Sequence, residues 1–277
     1  MSRPAQIITH VFVIVELIFY FLVPYLLISE GLSIFHAVMA GWTVGFLTPA
    51  VGLQHEWVHL KKKWYTSVLF ELIQYFCYSF IIVFHHKYSH HKHANTLKDY
   101  GHPYKNRGQI NYFFNYLINP IPKLFRIKPL RFSVLILGAI VSSVIIFSLF
   151  GWHGIAYQAM ASFGFYYTVG SGNYVQHYGL ELLPISDAQK ITYAWDDIGE
   201  VGKYFGFNLH IHSDHHLNTH KPFDKLKHLK GKPVVPYGIP VLAVIFPFPI
   251  IKKVMNKRLD TYLSRFEKGE DASNNIQ

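Results

Sequence analysis

Histidine is the residue type through which this chain can do chemistry, because its 18 histidines are concentrated in four short clusters. Nine of these histidines stand at spacings suited to metal ligation: His55, His59, His86, His90, His91, His177, His212, His215 and His216. The imidazole ring is a good ligand for zinc, copper, iron and nickel. The clusters therefore predict a metal site, but the ligand type alone does not select the metal.

The spacing within the clusters suits helices. His55 and His59 stand four residues apart and therefore share one helical face. The patterns HxxxHH (from His86) and HxxHH (from His212) place their outer rings on one face, and the tandem pair widens the reach around it. Such a set can surround two ions, whereas nine neutral donors are too many for one zinc. The letters of residues 55–59 match the zinc motif HExxH, so a zinc hydrolase is one alternative on this short pattern.

Other polar residues are candidates for supporting roles. Carboxylates and amides fix the tautomers of ligating histidines, and Asp99, Asn173 and Asp214 are our candidates for this role. Glu56 is a further candidate. The remaining histidines are expected to be hydrogen-bonded or solvated polar residues: His10, His36, His85, His93, His102, His153, His210, His220 and His228.

Four apolar runs must position these clusters. Each run is close to the ~20 residues that a helix needs to cross a bilayer, and they cover 7–29, 32–53, 132–150 and 154–172. Four such runs are improbable as buried helices of a soluble domain of this size. They predict an all-α membrane protein with about four transmembrane helices in two hairpins, and the first run is interpreted as a retained span rather than a signal peptide.

The distribution of basic residues predicts the orientation. Lysine and arginine number 26 against 16 acidic residues, yet the connectors at 29–31 and 151–153 contain neither lysine nor arginine. By the positive-inside rule, both termini and all four histidine clusters face the cytoplasm, as a histidine-rich cap on a multi-pass protein. The basic charge is then explained by contact with anionic lipid, and no nucleic-acid partner is expected.

Two further apolar segments are too polar or too interrupted to span. Residues 65–84 predict an interfacial or re-entrant helix, and residues 237–251, which contain three prolines, predict a helix lying on the membrane. The tail at about 268–277 is predicted to be disordered. The whole chain, 1–277, is expected to form a single membrane-embedded domain.

Cysteine usage limits the redox chemistry. Cys77 is the only cysteine, so the chain has no internal disulfide, no CxxC metal site and no iron–sulfur cluster. Any electron carrier must therefore be a separate protein.

The HxxxH, HxxxHH and HxxHH boxes resemble those of the membrane fatty-acid desaturase and hydroxylase superfamily. Two stretches, NYVQHYG at 173–179 and HSDHH at 212–216, are similar to the integral-membrane alkane 1-monooxygenases. The resemblance extends from about residue 7 to residue 262.

This resemblance implies a non-haem site with two Fe ions held by the nine histidines given above. It implies O2-dependent hydroxylation of an unactivated, terminal C–H bond of an alkane or similar apolar chain. Two electrons would come from rubredoxin or a similar donor with an NAD(P)H reductase, and the substrate would enter from the lipid bilayer. Two positions depart from the family pattern, because His85 and Gln176 stand where members usually have glutamate.

Two other functions stay open from the sequence. The same boxes occur in fatty-acyl or lipid desaturases and hydroxylases of this superfamily. A non-catalytic membrane protein that binds or transports metal is the alternative from a different class. Transport predicts polar residues within the spans, and Glu16 is the one ionisable carboxylate there.

Overall fold

The computed structural model describes residues 2–47, 56–59, 63–199 and 208–268. These residues are helical apart from loops and one isolated parallel bridge between Asp196 and Val234, which confirms the all-α prediction. The helices are α1 (Arg3–Ser29), α2 (Ile34–Leu47), α3 (Trp64–Phe76), α4 (Phe80–His85), α5 (His91–His93), α6 (Gln109–Ile118), α7 (Pro120–Ile127), α8 (Pro129–His177), α9 (Asp187–Lys190), α10 (His212–Leu217), α11 (Ile239–Ile245) and α12 (Ile250–Glu267).

The chain divides into two compact units. The first, called here the hairpin unit, comprises residues 2–85 and 120–169. The second, called the histidine unit, comprises residues 86–119 and 170–277. Helix α8 contributes residues to both units.

The hairpin unit begins with a long apolar helix. The Ser2 side chain accepts a hydrogen bond from the Ala5 amide and so caps α1. The helix runs for 27 residues and ends before Gly31, whose φ of 64° is readily adopted by glycine. Its length and composition are those of a membrane-spanning helix. The predicted span at 7–29 is therefore present as a helix.

The second long helix is α8, which has 49 residues and a break at Gly151 (φ 56°). The break falls in the predicted connector at 151–153 and separates two arms, 129–150 and 152–177. This helix also has the length and composition needed to cross a membrane. The predicted span at 32–53 corresponds to α2, and residues 48–53 lie outside the described ranges. The arrangement of four spans stays a prediction.

Small residues join α2 to the second arm of α8. A Cβ atom added to Gly41 would lie 2.4 Å from the Tyr157 carbonyl oxygen, and one added to Gly45 would lie 1.9 Å from that of Ala161. The two backbones therefore touch, as is common where helices pack within a membrane.

Each segment predicted as one interfacial helix is divided in the structure. Residues 65–84 form α3 and α4, separated by a break in which Tyr78 has a φ of 53°. Residues 237–251 contain α11 and the start of α12, because Pro247 and Pro249 interrupt the helix. Helix α12 continues to Glu267, and residues 269–277 of the predicted disordered tail lie outside the described ranges.

Candidate metal centre

A π-helical turn, His86–His90, positions the second histidine cluster. In a π-helix the backbone hydrogen bonds join residues five apart, which brings i and i+5 onto one face. In a regular α-helix the same two residues would point about 140° apart. As a result, the Nε2 atoms of His86 and His91 lie 2.7 Å apart. Turns of this kind are frequent at functional sites.

The first set of histidines in this unit consists of His86, His91 and His215. Their candidate ligand nitrogens lie within 4.8 Å of one another. The Nε2 atoms of His91 and His215 are 3.1 Å apart. His215 is buried, whereas His86 and His91 are partly exposed. Three imidazoles from two separate segments therefore converge on one point.

The second set consists of His90, His177, His212 and His216, all of them buried, with ligand nitrogens within 4.8 Å of one another. The Nε2 atoms of His90 and His177 are 3.2 Å apart, as are those of His212 and His216. The set draws on the second, third and fourth sequence clusters. These clusters are separated by up to about half of the chain, and the structure brings their rings together.

The two sets adjoin each other. The ring centroids of His91 and His216, one from each set, are 4.7 Å apart. His90 and His91, again one from each set, have centroids 5.8 Å apart. Two metal positions at this site would therefore be neighbours.

Residues 173–179 contain the end of α8, where His177 faces the other three histidines of the second set. Gly179 adopts a left-handed φ of 72°, and a Cβ atom there would lie 2.2 Å from Leu259 Cδ2. The Tyr178 hydroxyl accepts a hydrogen bond from the Asn106 amide at 2.9 Å and donates one to Asn256 at 2.7 Å. The NYVQHYG pattern therefore reflects how the end of this helix is fixed.

Ser213 and Asp214, which lie between the histidines of HSDHH, hold α10 in place through hydrogen bonds. The Ser213 hydroxyl donates to the Ala194 carbonyl at 2.7 Å, and the Ser213 amide donates to Asp196 Oδ1 at 2.8 Å. Asp214 accepts hydrogen bonds from Lys221 and from the Lys227 amide. These contacts hold the helix that carries three histidines.

Asp214 is a candidate for fixing a histidine tautomer, and its hydrogen-bond partners lie in the residues that follow α10. Within the described residues its carboxylate bonds Asn218, Lys221 and the Lys227 amide, and no histidine nitrogen. Burial alone would raise the pKa of Asp214, but the hydrogen bonds from Lys221, the Lys227 amide and Asn218 outweigh it and lower the pKa. Asp214 therefore anchors the loop that follows α10.

Asp99 does contact a histidine. Its Oδ2 atom accepts a hydrogen bond from His90 Nδ1 at 2.8 Å, and its Oδ1 atom accepts one from the Gly101 amide at 2.9 Å. Both residues are almost fully buried. Asp99 therefore orients the His90 ring and places the proton of that ring on Nδ1.

Asn173 contacts the loop that carries Asp99. Its amide nitrogen donates to the Gly101 carbonyl at 2.7 Å and to the Tyr112 hydroxyl at 2.8 Å, and it bonds no histidine in the described part of the chain. Since Gly101 is also the residue whose amide binds Asp99, Asn173 holds the loop that presents Asp99. A supporting role of Asn173 at the metal site stays a prediction.

Asn95 is the residue that sequence reasoning missed. Its Oδ1 atom accepts a hydrogen bond from His177 Nδ1 at 3.0 Å, and its amide nitrogen donates to the carbonyls of Lys190 and Tyr193 at 2.7 Å each. The side chain is fully buried, and the backbone is left-handed, with a φ of 60°. An asparagine four residues after a tandem histidine was the available signal, but the partner at residue 177 is remote in sequence.

These contacts define the electrostatics of the second set. Because Nδ1 carries the proton in both His90 and His177, the two Nε2 atoms at 3.2 Å present lone pairs to each other. A cation between them would satisfy both. Burial, together with the nearby histidines, lowers the pKa of His216 well below its ordinary value, so this ring is neutral at neutral pH and available as a ligand.

Only residues 56–59 of the first histidine cluster lie within the described ranges. His55 lies outside the described residues. His59 and Glu56 lie on a helical turn at 56–59 in the hairpin unit, where Glu56 is buried and His59 is partly exposed.

His85 and Gln176, the two positions that depart from the family pattern, lie within the residues that the structure describes. His85 is buried in the hairpin unit. Gln176 donates a hydrogen bond to the Leu209 carbonyl at 2.9 Å. At position 176 the amide therefore connects the end of α8 to the segment before α10.

Several of the other histidines have ordinary polar partners. His102 bonds Glu181 at 2.7 Å, and His228 bonds Asp196 at 2.7 Å. In the hairpin unit, His10 bonds the Thr66 hydroxyl at 2.8 Å and His153 bonds the Leu32 carbonyl at 2.9 Å.

The chain is similar to several proteins named alkane 1-monooxygenase. It is 25% identical over 249 residues to alkane 1-monooxygenase 2 of Alcanivorax borkumensis, covering 80% of this chain and 64% of that protein. It is 27% identical over 250 residues to alkane 1-monooxygenase 2 of Pseudomonas aeruginosa, covering 80% and 65%. For the alkane 1-monooxygenase of Pseudomonas putida the identity is 24% over 238 residues, covering 76% and 57%.

The resemblance to alkane 1-monooxygenases predicted from the motifs is thus confirmed, although the aligned region spans less than two thirds of the length of these relatives. A sequence model of the fatty acid desaturase family matches residues 32–242, which include every histidine of both sets. The chain therefore belongs to the fatty acid desaturase family.

Proposed function

We propose that this protein is a membrane di-iron monooxygenase that hydroxylates an unactivated, terminal C–H bond of an alkane or similar apolar chain. It would use O2 and two electrons from an external donor. The proposal combines the two histidine sets, the family membership and the relatives named alkane 1-monooxygenase.

The observation that carries the proposal is the pair formed by His90 and His177. Asp99 and Asn95 place the protons of these rings on Nδ1, so their Nε2 atoms face each other without a proton between them. A buried arrangement of two lone pairs at this distance is unfavourable without a positive charge. A metal ion supplies that charge.

The distances between histidine nitrogens fit a metal ion. Metal–imidazole bonds of ~2.0–2.1 Å place neighbouring ligand nitrogens roughly 2.9–3.4 Å apart. The Nε2–Nε2 separations of 2.7, 3.1, 3.2 and 3.2 Å in the two sets lie at or close to this range. When bound there, two iron ions would supply the reductive activation of O2 and the transfer of one oxygen atom to carbon.

We propose that the ligands are the nine histidines of the sequence clusters, seven of which lie in the histidine unit. Asp99 and Asn95 keep His90 and His177 in the tautomer that offers Nε2. Asn173 holds the Asp99 loop, and Ser213 and Asp214 hold α10. These contacts fix the ring positions before metal binds, and burial of the second set excludes water from the ligand nitrogens.

The proposed setting is a multi-pass membrane protein with four spans, and with both termini and the metal site on the cytoplasmic side. The chain would act as one membrane-embedded domain. Rubredoxin or a similar protein, reduced by an NAD(P)H-dependent reductase, would deliver electrons, since the only cysteine, Cys77, is buried and cannot form an iron–sulfur centre alone. The apolar substrate would enter laterally from the bilayer.

The proposal is tested with purified protein, rubredoxin, its reductase and NADH, using alkanes of graded length. We expect a terminal alcohol by mass spectrometry and NADH-dependent O2 uptake. The His212→Ala variant is expected to lose bound iron and activity while still inserting into membranes. His220→Ala, at an exposed histidine outside both sets, is the matched control and should retain both.

A second candidate function follows from the family match itself, because the matching model is that of the fatty acid desaturases. Assay of a fatty acid matched in length to the alkane separates the two. An unsaturated or hydroxylated fatty acid formed in preference to the alcohol would favour the second candidate and contradict the first.

A further inference from the structure

The hairpin unit contains a buried polar cluster that the metal centre does not use. The Tyr20 hydroxyl donates a hydrogen bond to Cys77 Sγ at 3.2 Å, and the Cys77 thiol donates one to Glu16 Oε1 at 3.3 Å. All three residues are buried. Glu16 lies in the middle of α1, and a carboxyl group within a membrane span is costly and usually functional.

The second arm of α8 extends this cluster. The ring centroids of Tyr157 and Tyr20 are 5.8 Å apart. The adjacent residue, Gln158, donates hydrogen bonds to the Phe76 carbonyl at 3.3 Å and to the Ser142 hydroxyl at 3.2 Å. Since Phe76 directly precedes Cys77, these side chains surround the end of α3.

Three polar atoms of this arm have no hydrogen-bond partner within the described residues: Tyr157 Oη, Gln158 Oε1 and Ser162 Oγ. Gln158 and Ser162 stand four residues apart and therefore share a helical face. Tyr157 and Gln158 are fully buried, and Ser162 is 4% exposed. Buried polar atoms nearly always have partners, and the hydrocarbon layer provides none. The cluster is thus built to bind a polar group that comes from outside the protein.

We infer that this cluster binds the hydroxyl end of a neutral long-chain molecule. The Tyr157 hydroxyl has a proton to donate, and Gln158 Oε1 is a free acceptor. A hydroxyl group suits either atom, because it can accept a hydrogen bond from the first or donate one to the second. A pure hydrocarbon satisfies neither of them. A carboxylate has no proton for Gln158 and would add a second acidic group near Glu16.

The long chain follows from the surroundings. Helix α1 and the second arm of α8 expose aliphatic and aromatic side chains on their outer faces, among them Ile18, Leu22 and Phe163. A molecule that reaches the cluster from lipid therefore needs an apolar body. The site uses no histidine, so it goes beyond the proposed function and does not depend on it.

The test is competition against a photoreactive long-chain alcohol, bound to the full-length protein in lipid nanodiscs and mapped by mass spectrometry. Dodecanol, dodecane and dodecanoate serve as competitors of matched length. The variants are Tyr157→Phe and Gln158→Leu, with Tyr25→Phe as the matched control because Tyr25 is 59% exposed. Since the Tyr157 hydroxyl has no partner in the described chain, its removal breaks no protein hydrogen bond and should leave the melting temperature unchanged.

We expect cross-links to map to 154–162 and dodecanol to compete about tenfold better than dodecane or dodecanoate, a difference typical of one good hydrogen bond. Both cluster variants should lose this preference, whereas Tyr25→Phe and the metal-site variant His212→Ala should keep it. Equal competition by dodecanol and dodecane would overturn the inference, since water would then satisfy the cluster. A preference that survives in both cluster variants, or equal competition by dodecanoate, would also overturn it.

Discussion

At the scale of single residues, the histidine unit depends on what lies behind its ligands. Asp99 and Asn95 each bind the outer nitrogen of one buried histidine, a carboxylate in one case and an amide in the other. An ionised carboxylate makes a ligating imidazole a stronger base than a neutral amide does. His90 and His177 are therefore expected to differ in donor strength although they face the same point.

The role of Asn95 is tested by replacing it with glycine, which keeps the left-handed backbone but removes the hydrogen bond to His177 and those to the Lys190 and Tyr193 carbonyls. We expect metal affinity to fall about 10–100-fold, as for other residues that orient ligands. Bound iron is measured by mass spectrometry after equilibration with a chelator. Asn106→Gly is the control, since Asn106 has a similar φ of 66° and is exposed. An equal loss in both variants would assign the effect to the backbone instead.

Lys232 provides a prediction for pH. Burial outweighs the attraction of Asp196 and lowers the pKa of Lys232 to about 8, although the amine also lies 3.3 Å from the centroid of the Tyr193 ring. Because the pKa is lower in the folded state, the charged amine costs stability below pH 8, and the cost disappears as pH rises toward the ordinary value of about 10.4.

NMR of isotopically labelled lysine side chains would measure this titration directly, with Lys232→Gln identifying the resonance. We expect Lys232 to titrate near pH 8, ahead of the exposed lysines. Titration at or above the ordinary value would mean that Asp196 and the Tyr193 ring outweigh burial.

At the scale of elements, two local departures from regular helix set the site. The π-helical turn at His86–His90 aligns His86 with His91, and the left-handed Gly179 stops α8 directly after His177. Each departure can therefore be tested by a small change in the sequence.

Insertion of one alanine after Tyr88 tests the π-helical turn. His91 then follows His86 by six residues, a separation at which two rings point about 120° apart on a regular helix, so we expect bound metal to be lost. The measurement is iron per chain in protein that elutes as a single species in detergent. Lys87→Ala, at an exposed position in the same turn, should retain its metal. Full metal content after the insertion would show that the turn has no role in ligand placement.

Gly179→Ala tests the end of α8. A left-handed alanine costs about 1–2 kcal/mol, and the new Cβ would lie 2.2 Å from Leu259 Cδ2. We expect the melting temperature to fall by roughly 4–10 °C. In the double variant Gly179→Ala/Leu259→Ala, the close contact between the new Cβ and Leu259 Cδ2 is removed. Gly172→Ala, at a helical glycine with no neighbour within 4 Å, should be neutral or stabilising.

Sequence reasoning predicted the elements that depend on local composition. The apolar runs gave α1 and both arms of α8, and the break at Gly151 falls in the predicted connector. The π-helical turn was missed because the outer rings of HxxxHH, five residues apart, were expected to share one face of a regular helix, on which they would point about 140° apart. The division of 65–84 was also missed, since the break around Tyr78 has neither glycine nor proline to signal it.

At the scale of the whole molecule, the residues that support the histidines lie at very different distances along the chain. Asp99 follows its histidine by nine residues and was a candidate from the sequence, whereas the partner of His177 comes from residue 95 and depends on tertiary structure. The two compact units contain different polar groups. The histidine unit carries seven of the nine proposed ligands, and the hairpin unit carries the polar cluster around Cys77.

The proposed function requires that the two histidine sets hold two iron ions. Mössbauer spectroscopy and metal analysis of protein loaded with the iron-57 isotope test it most directly, because they report the number of irons, their ligands and their coupling together. We expect two iron ions per chain in nitrogen-rich, mutually coupled sites, and loss of the coupled signal in His90→Ala. Stoichiometric zinc, a single uncoupled iron, or an unchanged spectrum in His90→Ala would contradict it.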